Sequence, residues 1–304
     1  MKLPIQNWGI DNKDKILKSA ISGMNKRADK EIESLPEKDS SEIVLREALF
    51  KRIDNSYSFN KILFKKAEIY IGTEFSGTVI DMGAGRGTCS AIMTQYPKVE
   101  KVYAVEYSYS TLENIFPLAI KRVKGSKEKV TLCHGSFNDV KLSDNSVDFV
   151  VEGGSYHHSE DIEQTLQETF RILKPGGWFV GIDRSWPDEM SEDELDKIRY
   201  KELSKKQKEL YGLPIDKVFT RADWGEHEYH HSDWLSYLEK IGFKSKLFYF
   251  ESVSYRNPIN IFKIFFFKLF GNYFLKRKDK IITYPNWIDR RKSISLIIGR
   301  KPIQ

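Results

Sequence analysis

A glycine-rich turn that follows a short apolar segment constrains this 304-residue chain more than any other feature of its sequence. Residues 78–80, a threonine, a valine and an isoleucine, are typical of a strand that is buried on both faces of a parallel sheet. Glycines at positions 83, 85 and 87 then permit positive φ angles and bring bare backbone amides close to a ligand before a helix begins. The segment therefore predicts a strand, a tight turn and a helix N-terminus that together form a binding site.

An acidic residue, Glu106, ends the next apolar segment, residues 102–105. Ligands of open α/β sheets bind outside the carboxyl ends of the strands, and we expect Glu106 to lie there, beside the glycine turn. A carboxylate in that position can accept hydrogen bonds from both hydroxyl groups of a ribose. The two segments together predict a pocket for a nucleotide cofactor.

The spacing of the glycines distinguishes between cofactors. A dinucleotide-binding turn has the pattern G-x-G-x-x-G, whereas here the last glycine comes one residue early and Thr88 stands in the third glycine position. Asp81 would repel a pyrophosphate at this place. A P-loop is excluded because no Gly-Lys-Ser/Thr sequence follows the turn.

The D-x-G-x-G-x-G pattern of residues 81–87 resembles the first motif of class I S-adenosylmethionine-dependent methyltransferases, where it faces a cationic amino acid group. Residues 147–151 are similar to the fourth strand of that family, and residues 168–177 to the helix and turn that lead into its fifth strand. The resemblance implies an α/β, Rossmann-like fold with a mainly parallel seven-stranded sheet and an antiparallel last strand. It also implies S-adenosyl-L-methionine as the cofactor.

The chain divides into two predicted parts. Residues 1–75 place apolar side chains at helical spacing and predict a helical N-terminal cap or lid. Residues 76–304 are predicted to form the methyltransferase domain, with a helical insertion at 186–230 on the substrate side and a basic aromatic insertion at 253–292 between the last two strands. Strands are predicted at residues 78–82, 101–106, 129–134, 147–152, 178–183, 244–252 and 293–300.

The insertion at 253–292 concentrates positive charge, because residues 252–304 hold 12 Lys and Arg against 2 Asp and Glu. Phenylalanines interleaved with lysines can lie in the interface of an anionic membrane surface. The same phenylalanines can instead pack on the protein while the lysines remain solvated. Single-stranded nucleic acid is a third and less favoured partner, since no RNA-binding motif accompanies the charge.

Composition favours a cytoplasmic enzyme, with peripheral attachment to a membrane as the variant that the insertion suggests. Residues 1–21 are polar and charged, unlike a secretory signal, and no apolar run approaches the roughly 20 residues that span a bilayer. Cys89 and Cys133 fall on a predicted helix start and a predicted strand, so buried free thiols are expected rather than a disulfide or a metal site.

The cofactor contacts follow from the resemblance, one position at a time. The first motif would hold the methionine part, the acid after the second strand the ribose, and the residue after it one face of the adenine. Ser136 stands where many relatives carry an acidic residue, so ordinary packing is an open alternative for it and for its neighbour. The predicted cofactor-binding residues are Asp81, Gly83, Gly85, Gly87, Glu106, Tyr107, Ser136, Phe137 and Gly153.

Methyl transfer from a sulfonium requires mainly that a nucleophile be aligned with the methyl group and that water be excluded. A base helps only if the acceptor is protonated, and histidine has a suitable intrinsic pKa. His157 and His158 follow the fourth strand, where the family places groups near the transferred methyl. Each is interpreted as a catalytic base or acceptor contact, with hydrogen-bonded packing as the alternative.

A second histidine group lies at residues 227–231 and matches the short zinc motif His-Glu-x-x-His. Gly225 precedes it and a helix cap follows, so this segment enters a helix and cannot place both imidazoles on one helix face. No metal is predicted. The predicted substrate-binding residues are Tyr156, Asp183, Arg184, His227 and His231.

These observations predict methyl transfer to a small-molecule or lipid-linked acceptor, with oxygen favoured as the nucleophile. The alternative is a non-catalytic protein with the methyltransferase fold that docks to a membrane or a partner through its basic aromatic insertion. The identity of the acceptor and the oligomeric state stay open at this point.

Overall fold

The computed structural model describes residues 3–10, 40–211, 213–252, 280–283 and 294–303. Within these residues nine strands form one sheet, as the alternation of apolar segments with turn sequences predicts. The strands are β1 (Ile5–Gly9), β2 (Gly77–Met82), β3 (Val99–Glu106), β4 (Val130–Gly135), β5 (Val147–Glu152), β6 (Leu173–Arg184), β7 (Lys244–Ser252), β8 (Lys280–Thr283) and β9 (Ile294–Arg300).

The order of the strands across the sheet is β1-β4-β3-β2-β5-β6-β9-β7-β8. All neighbouring pairs are parallel except the two that involve β9, which runs antiparallel to β6 and to β7. The predicted seven-stranded sheet with an antiparallel last strand is therefore confirmed, with one additional strand at each edge. Strand order reverses between β2 and β5, and such a switch point opens a crevice at the carboxyl ends of the strands.

Helices cover both faces of the sheet and close two of its apolar clusters. The longest helix, Ser40–Ile71 (α1), packs its buried side chains, Phe59, Leu63 and Phe64 among them, against the strands. The helices are α1 (Ser40–Ile71), α2 (Thr88–Thr94), α3 (Phe116–Arg122), α4 (Ile162–Ile172), α5 (Glu192–Arg199), α6 (Lys205–Tyr211) and α7 (His231–Ile241).

The prediction of an entirely helical segment over residues 1–75 was wrong at its start. Ile5–Gly9 is a strand that pairs in parallel with β4 at the edge of the sheet. Its sequence, IQNWG, contains no run of β-branched residues, so it owes its extended form to tertiary pairing rather than to propensity. The helical expectation holds for α1, which begins at Ser40.

The structure describes nearly all of the first predicted insertion but only a short part of the second. The first contains α5 and α6, as expected of residues 186–230. The second, at 253–292, lies outside the described residues except for β8, so the predictions of membrane or partner contact through it stay predictions. None of the described helices is both long and apolar enough to span a bilayer.

Candidate active site

A cavity of about 480 Å³ lies at the carboxyl ends of β2, β3, β5 and β6, where the strand order reverses. Side chains of α1 form part of its wall. The structure brings most of the predicted site residues together here, and those that line the cavity are Asp81, Gly83, Gly85, Glu106, Tyr107, Phe137, Gly153, His157, His158, Asp183 and Arg184.

Asp81, in β2, is fully buried beside the first turn of α2. One carboxyl oxygen, Oδ2, accepts hydrogen bonds from the backbone N–H of Ser90 (2.8 Å) and from its hydroxyl (2.5 Å). The other, Oδ1, is buried without a hydrogen-bond partner among the described residues. Burial raises the pKa of the Asp81 carboxyl to about 7 against these two hydrogen bonds, and the nearby Glu106 adds to the rise.

The three glycines of the turn are needed for two different structural reasons. A Cβ on Gly83 would lie 2.3 Å from the Cβ of Ser155, and one on Gly87 would lie 2.5 Å from the ring of Phe116. Both positions therefore exclude a side chain by packing. Gly85 has a φ of +50°, yet a Cβ there would meet only the Gly83 carbonyl oxygen, at 3.9 Å, because the residue faces the open cavity.

Glu106 is buried at the end of β3, where the sequence predicts a ribose contact. Its Oε2 accepts a hydrogen bond from the backbone N–H of Gly85 (2.9 Å), and its Oε1 accepts one from Ser108 (2.9 Å). Burial raises the pKa of this carboxyl, whereas the backbone donors oppose the rise. The glutamate thereby joins the glycine turn to β3 and presents its oxygens at the edge of the cavity.

The opposite wall of the cavity carries a histidine paired with an aspartate. Asp183, at the end of β6, accepts hydrogen bonds from Nδ1 of His157 (2.5 Å) and from the His157 backbone N–H (2.9 Å). Burial opposes ionisation of Asp183, but the interactions with His157 outweigh burial and lower the pKa of its carboxyl. Because the carboxylate only accepts, Nδ1 carries the proton, and Nε2 is the ring nitrogen left to bind another.

Glu226, from the segment before α7, joins this wall and lies 3.7 Å from Nε2 of His157, measured from its Oε2. Arg184 and Arg221 both pair with the same carboxylate, Arg221 at 3.0 Å. Burial would raise the pKa of Glu226, yet these cationic neighbours, Arg184 foremost, lower it to about 2. The carboxylate is therefore ionised and neutralised at neutral pH.

His158 lies beside His157, with the ring centroids 4.1 Å apart. Its Nδ1 donates to the carbonyl oxygen of Gly225 (3.0 Å), since a carbonyl can only accept. Burial, together with the neighbouring His157, lowers the pKa of His158 to about 3. The imidazole is neutral near pH 7, so it contributes a fixed polar edge to the cavity.

Five predicted site residues do not line the cavity. Three of them are held in the surrounding framework: Tyr156 is hydrogen-bonded to Thr169 in the core, while Gly87 packs on α3 and the Ser136 hydroxyl accepts from Asn138. The remaining two are His227, which contacts the Ser159 carbonyl, and His231, which contacts the Ser185 hydroxyl. Their proposed ligand contacts stay predictions.

Sequence reasoning did not single out several residues that line the cavity. Ser56, Phe59 and Asn60 reach it from α1, far from the glycine turn in sequence. Glu226 lies next to the cavity through its contacts with Arg184 and His157. Its position directly after Gly225, which adopts a left-handed conformation, is the one local signal of a turn at this place.

His157, His158 and Glu226 place ligand-type atoms within 4.8 Å of one another. A divalent cation would share the Glu226 carboxylate with two guanidinium groups, those of Arg184 and Arg221. Such a site would bring like charges together at short range. The cluster is therefore better described as a polar network than as a metal site.

Comparisons with known proteins agree with this fold. Residues 80–181 match a family model described as a methyltransferase domain. Together with the sheet order and the turn at β2, the match shows that residues 80–181 belong to a methyltransferase domain of the class I, S-adenosylmethionine-dependent type. S-Adenosyl-L-methionine is the cofactor of this class.

Two curated relatives illustrate the range of similarity. The chain is 33% identical over 107 residues to dimethylglycine N-methyltransferase of Parasynechococcus marenigrum, which covers 35% of this chain and 37% of the relative. It is 29% identical over 143 residues to demethylmenaquinone methyltransferase of Listeria welshimeri, which covers 46% of this chain and 59% of the relative. The aligned segment thus spans less than two thirds of either relative.

A solved structure, phosphoethanolamine N-methyltransferase 2 of Haemonchus contortus with S-adenosyl-L-methionine, is also similar. The sequences are 15% identical, the superposition covers 77% of this chain and 50% of the other, and the TM-score is 0.46.

The residues of the cavity fit the cofactor of this class. The buried Oδ1 of Asp81 has no hydrogen-bond partner in the described part of the chain, which suits the ammonium group of the methionine part. Gly85 leaves open space beside the Glu106 carboxylate, which suits a hydroxyl-bearing ribose. The rings of Tyr107 and Phe137 line the same cavity and offer apolar surface for the adenine.

Proposed function

We propose that this protein transfers a methyl group from S-adenosyl-L-methionine to a hydroxyl oxygen of a small-molecule acceptor. The observation that carries the proposal is the pairing of His157 with Asp183 in the wall of the cavity, at 2.5 Å between Nδ1 and Oδ1. A histidine held in this way has one nitrogen fixed and the other available as a base. Hydroxyl acceptors need a base at neutral pH, whereas neutral amines do not.

The roles of the residues follow from their contacts. When bound, S-adenosylmethionine supplies a methyl group activated by its sulfonium. Asp81 and Glu106 would bind the ammonium and ribose groups, while His157 removes the proton of the acceptor hydroxyl at Nε2. Asp183 then stabilises the imidazolium and holds the ring in the tautomer that can take the proton.

The names of the relatives support small-molecule acceptors and also define the competitor. Dimethylglycine N-methyltransferase is named for a nitrogen acceptor, so an amine is the alternative nucleophile for this chain. A matched panel of alcohols and amines that share the same carbon skeletons, read by release of S-adenosylhomocysteine, separates the two. We expect release with alcohols; release with amines alone would contradict the proposal.

The base is tested with His157→Ala, using His230→Ala as a matched control. His230 contacts the Met190 carbonyl oxygen (2.9 Å) and is not among the residues that line the cavity. We expect His157→Ala to lower kcat with a hydroxyl acceptor by about 100-fold, a typical contribution of general base catalysis. Cofactor binding, measured by thermal shift, should persist in both variants. Full activity of His157→Ala would overturn the role of this histidine.

A further inference from the structure

Glu152, the last residue of β5, is a fully buried acid to which the proposed transfer gives no role. Its Oε2 accepts hydrogen bonds from the backbone N–H groups of Gly154 (2.9 Å) and Ser155 (3.0 Å). These bonds fix the turn that leads from β5 to His157. The register pairs Glu152 with Gly181 on β6, so it lies on the same sheet face as Asp183, two residues further along that strand.

The hydrogen bonds around Oε2 show which oxygen of Glu152 acts as the acceptor. The Ser155 hydroxyl donates to the carbonyl oxygen of Met82 (2.6 Å) and also lies 3.2 Å from Oε2 of Glu152, to which it offers the longer branch of the same bond. Oε2 therefore faces three donors, the two backbone N–H groups and this hydroxyl. A proton on Glu152 belongs on the other oxygen, Oε1.

Two observations indicate that Glu152 is neutral. Its Oε1 is buried without a hydrogen-bond partner among the described residues, and an ionised carboxylate in that state would carry a large desolvation cost. Burial and the charge of Asp183 raise the pKa of Glu152 well above its usual range. β6 carries a glycine at the facing position, because a Cβ on Gly181 would lie 2.7 Å from Oε1.

The turn that Glu152 holds contacts both halves of the cavity. On the cofactor side, Ser155 packs directly on Gly83, where a Cβ would come within 2.3 Å of the serine Cβ. On the acceptor side, the chain continues into His157, whose backbone N–H and ring both bond to Asp183. A shift of this turn would therefore move the glycine turn and the proposed base together.

We propose that Glu152 acts as a neutral carboxylic acid that positions the turn of residues 153–155, and through it holds both Gly83 and His157 in place. The catalytic part of this proposal rests on the proposed function, because Glu152 acts on the reaction through His157. A neutral Glu152 also leaves Asp183 as the anion paired with the imidazole, with no second negative charge beneath it.

Two substitutions separate a neutral acid from a carboxylate. Glu152→Gln retains the shape and the neutral state, so we expect kcat and the Kd for S-adenosylmethionine to stay within about threefold of the wild-type values. Glu152→Ala releases the turn, and we expect a fall in kcat of roughly 10- to 100-fold, since small displacements of catalytic groups can cost about 100-fold. Equal impairment of both variants would show that an ionised carboxylate is required and would overturn the proposal.

Infrared spectroscopy tests the protonation state without any acceptor. The difference spectrum of wild type minus Glu152→Gln, at pH 7 and without cofactor, should contain the C=O band of one protonated carboxyl. A carboxylate band in its place would contradict the proposal even if the chain is an active methyltransferase. A protonated band in a protein that methylates no alcohol would instead preserve Glu152 and refute the proposed function. This measurement does not use Glu152→Ala, so it remains informative if that variant fails to fold.

Discussion

The cavity has a cofactor half, which contains Asp81 and Glu106, and an acceptor half, which is formed by His157, Asp183 and Glu226. The pKa values of the carboxyl groups are raised in the cofactor half and lowered in the acceptor half. Burial raises the pKa of Asp81 and of Glu106, and the contacts to each that the structure records are hydrogen bonds rather than ion pairs. The pKa of Asp183 and of Glu226 is lowered by His157 and by Arg184, respectively. The carboxylates of the acceptor half therefore already have histidine or arginine partners, whereas the cofactor half is suited to receive a cation.

The largest effect is expected for a substitution that blocks cofactor binding and leaves the acceptor half unchanged. Gly85→Arg directs a long side chain into the cavity, so we expect it to abolish binding of S-adenosylmethionine while the His157–Asp183 pair stays intact. Binding is read as a rise in melting temperature with cofactor, which a ligand of the native state produces.

Gly72→Arg is the matched control for this prediction. Gly72 also has a positive φ, +83°, and a Cβ there would meet nothing within 4 Å, but it lies at the end of α1 away from the cavity lining. The control shares the backbone strain and should retain the thermal shift. Loss of the shift in both variants would show that strain, not the blocked cavity, is responsible.

The next largest effect is expected for a substitution that lowers kcat and leaves cofactor binding unchanged. Asp183→Asn removes the charge that fixes the His157 tautomer, so we expect kcat with a hydroxyl acceptor to fall by about 100-fold or more. The Kd for the cofactor should remain unchanged. Asp188→Asn serves as control, because Asp188 accepts a hydrogen bond from the Ser232 backbone and is not among the residues that line the cavity. A rise in cofactor Kd without a loss of kcat would contradict this division.

A smaller effect is expected in the pH dependence of cofactor affinity. The pKa of Asp81 is about 7 without ligand, and a bound ammonium favours the ionised carboxylate. Cofactor affinity should therefore weaken as pH falls through 7, by about tenfold between pH 8 and pH 6. Asp81→Asn should bind weakly and show no such dependence, apart from any contribution of Glu106. A wild-type affinity that is constant over this range, measured by calorimetry, would contradict the account.

The smallest effect concerns the charge balance of the acceptor half. Glu226→Gln removes one of the two carboxylates near His157 and leaves Arg184 and Arg221 with Glu228 as their remaining partner. We expect kcat to fall by only about threefold, because Asp183 remains paired with the imidazole and Glu228 still pairs with both arginines. A loss as large as that of Asp183→Asn would show that Glu226 has a direct role in proton transfer.

The two halves also differ in how far the sequence predicts them. Asp81, Gly85 and Glu106 belong to one strand–helix–strand unit, so their contacts follow from local spacing and from the carboxyl-end rule for parallel sheets. The acceptor half joins His157 from the segment after β5, Asp183 from the end of β6 and Glu226 from the segment before α7. The pairing of His157 with Asp183 depends on the register of β5 and β6, and no local pattern encodes it.

The same physical limit explains the differences in the fold. The strands of the central sheet carry dense apolar runs, and each was predicted to within two residues except β6, which begins at Leu173 rather than at residue 178. The edge strand β1 lacks that signal, and β8 is only four residues long, so both are extended through their pairing with a neighbouring strand. Tyr156 and His231 were expected at the cavity, but their rings stack on Phe179 and Tyr249, and such aromatic contacts depend on tertiary packing.

Calorimetric titration of the purified protein with S-adenosyl-L-methionine at pH 8 tests the central claim most directly. The account predicts a saturable heat with one site per chain, which disappears in Gly85→Arg and persists in Gly72→Arg and Asp183→Asn. An absence of binding heat in the wild-type protein, confirmed by an unchanged melting temperature with the same ligand, would contradict it.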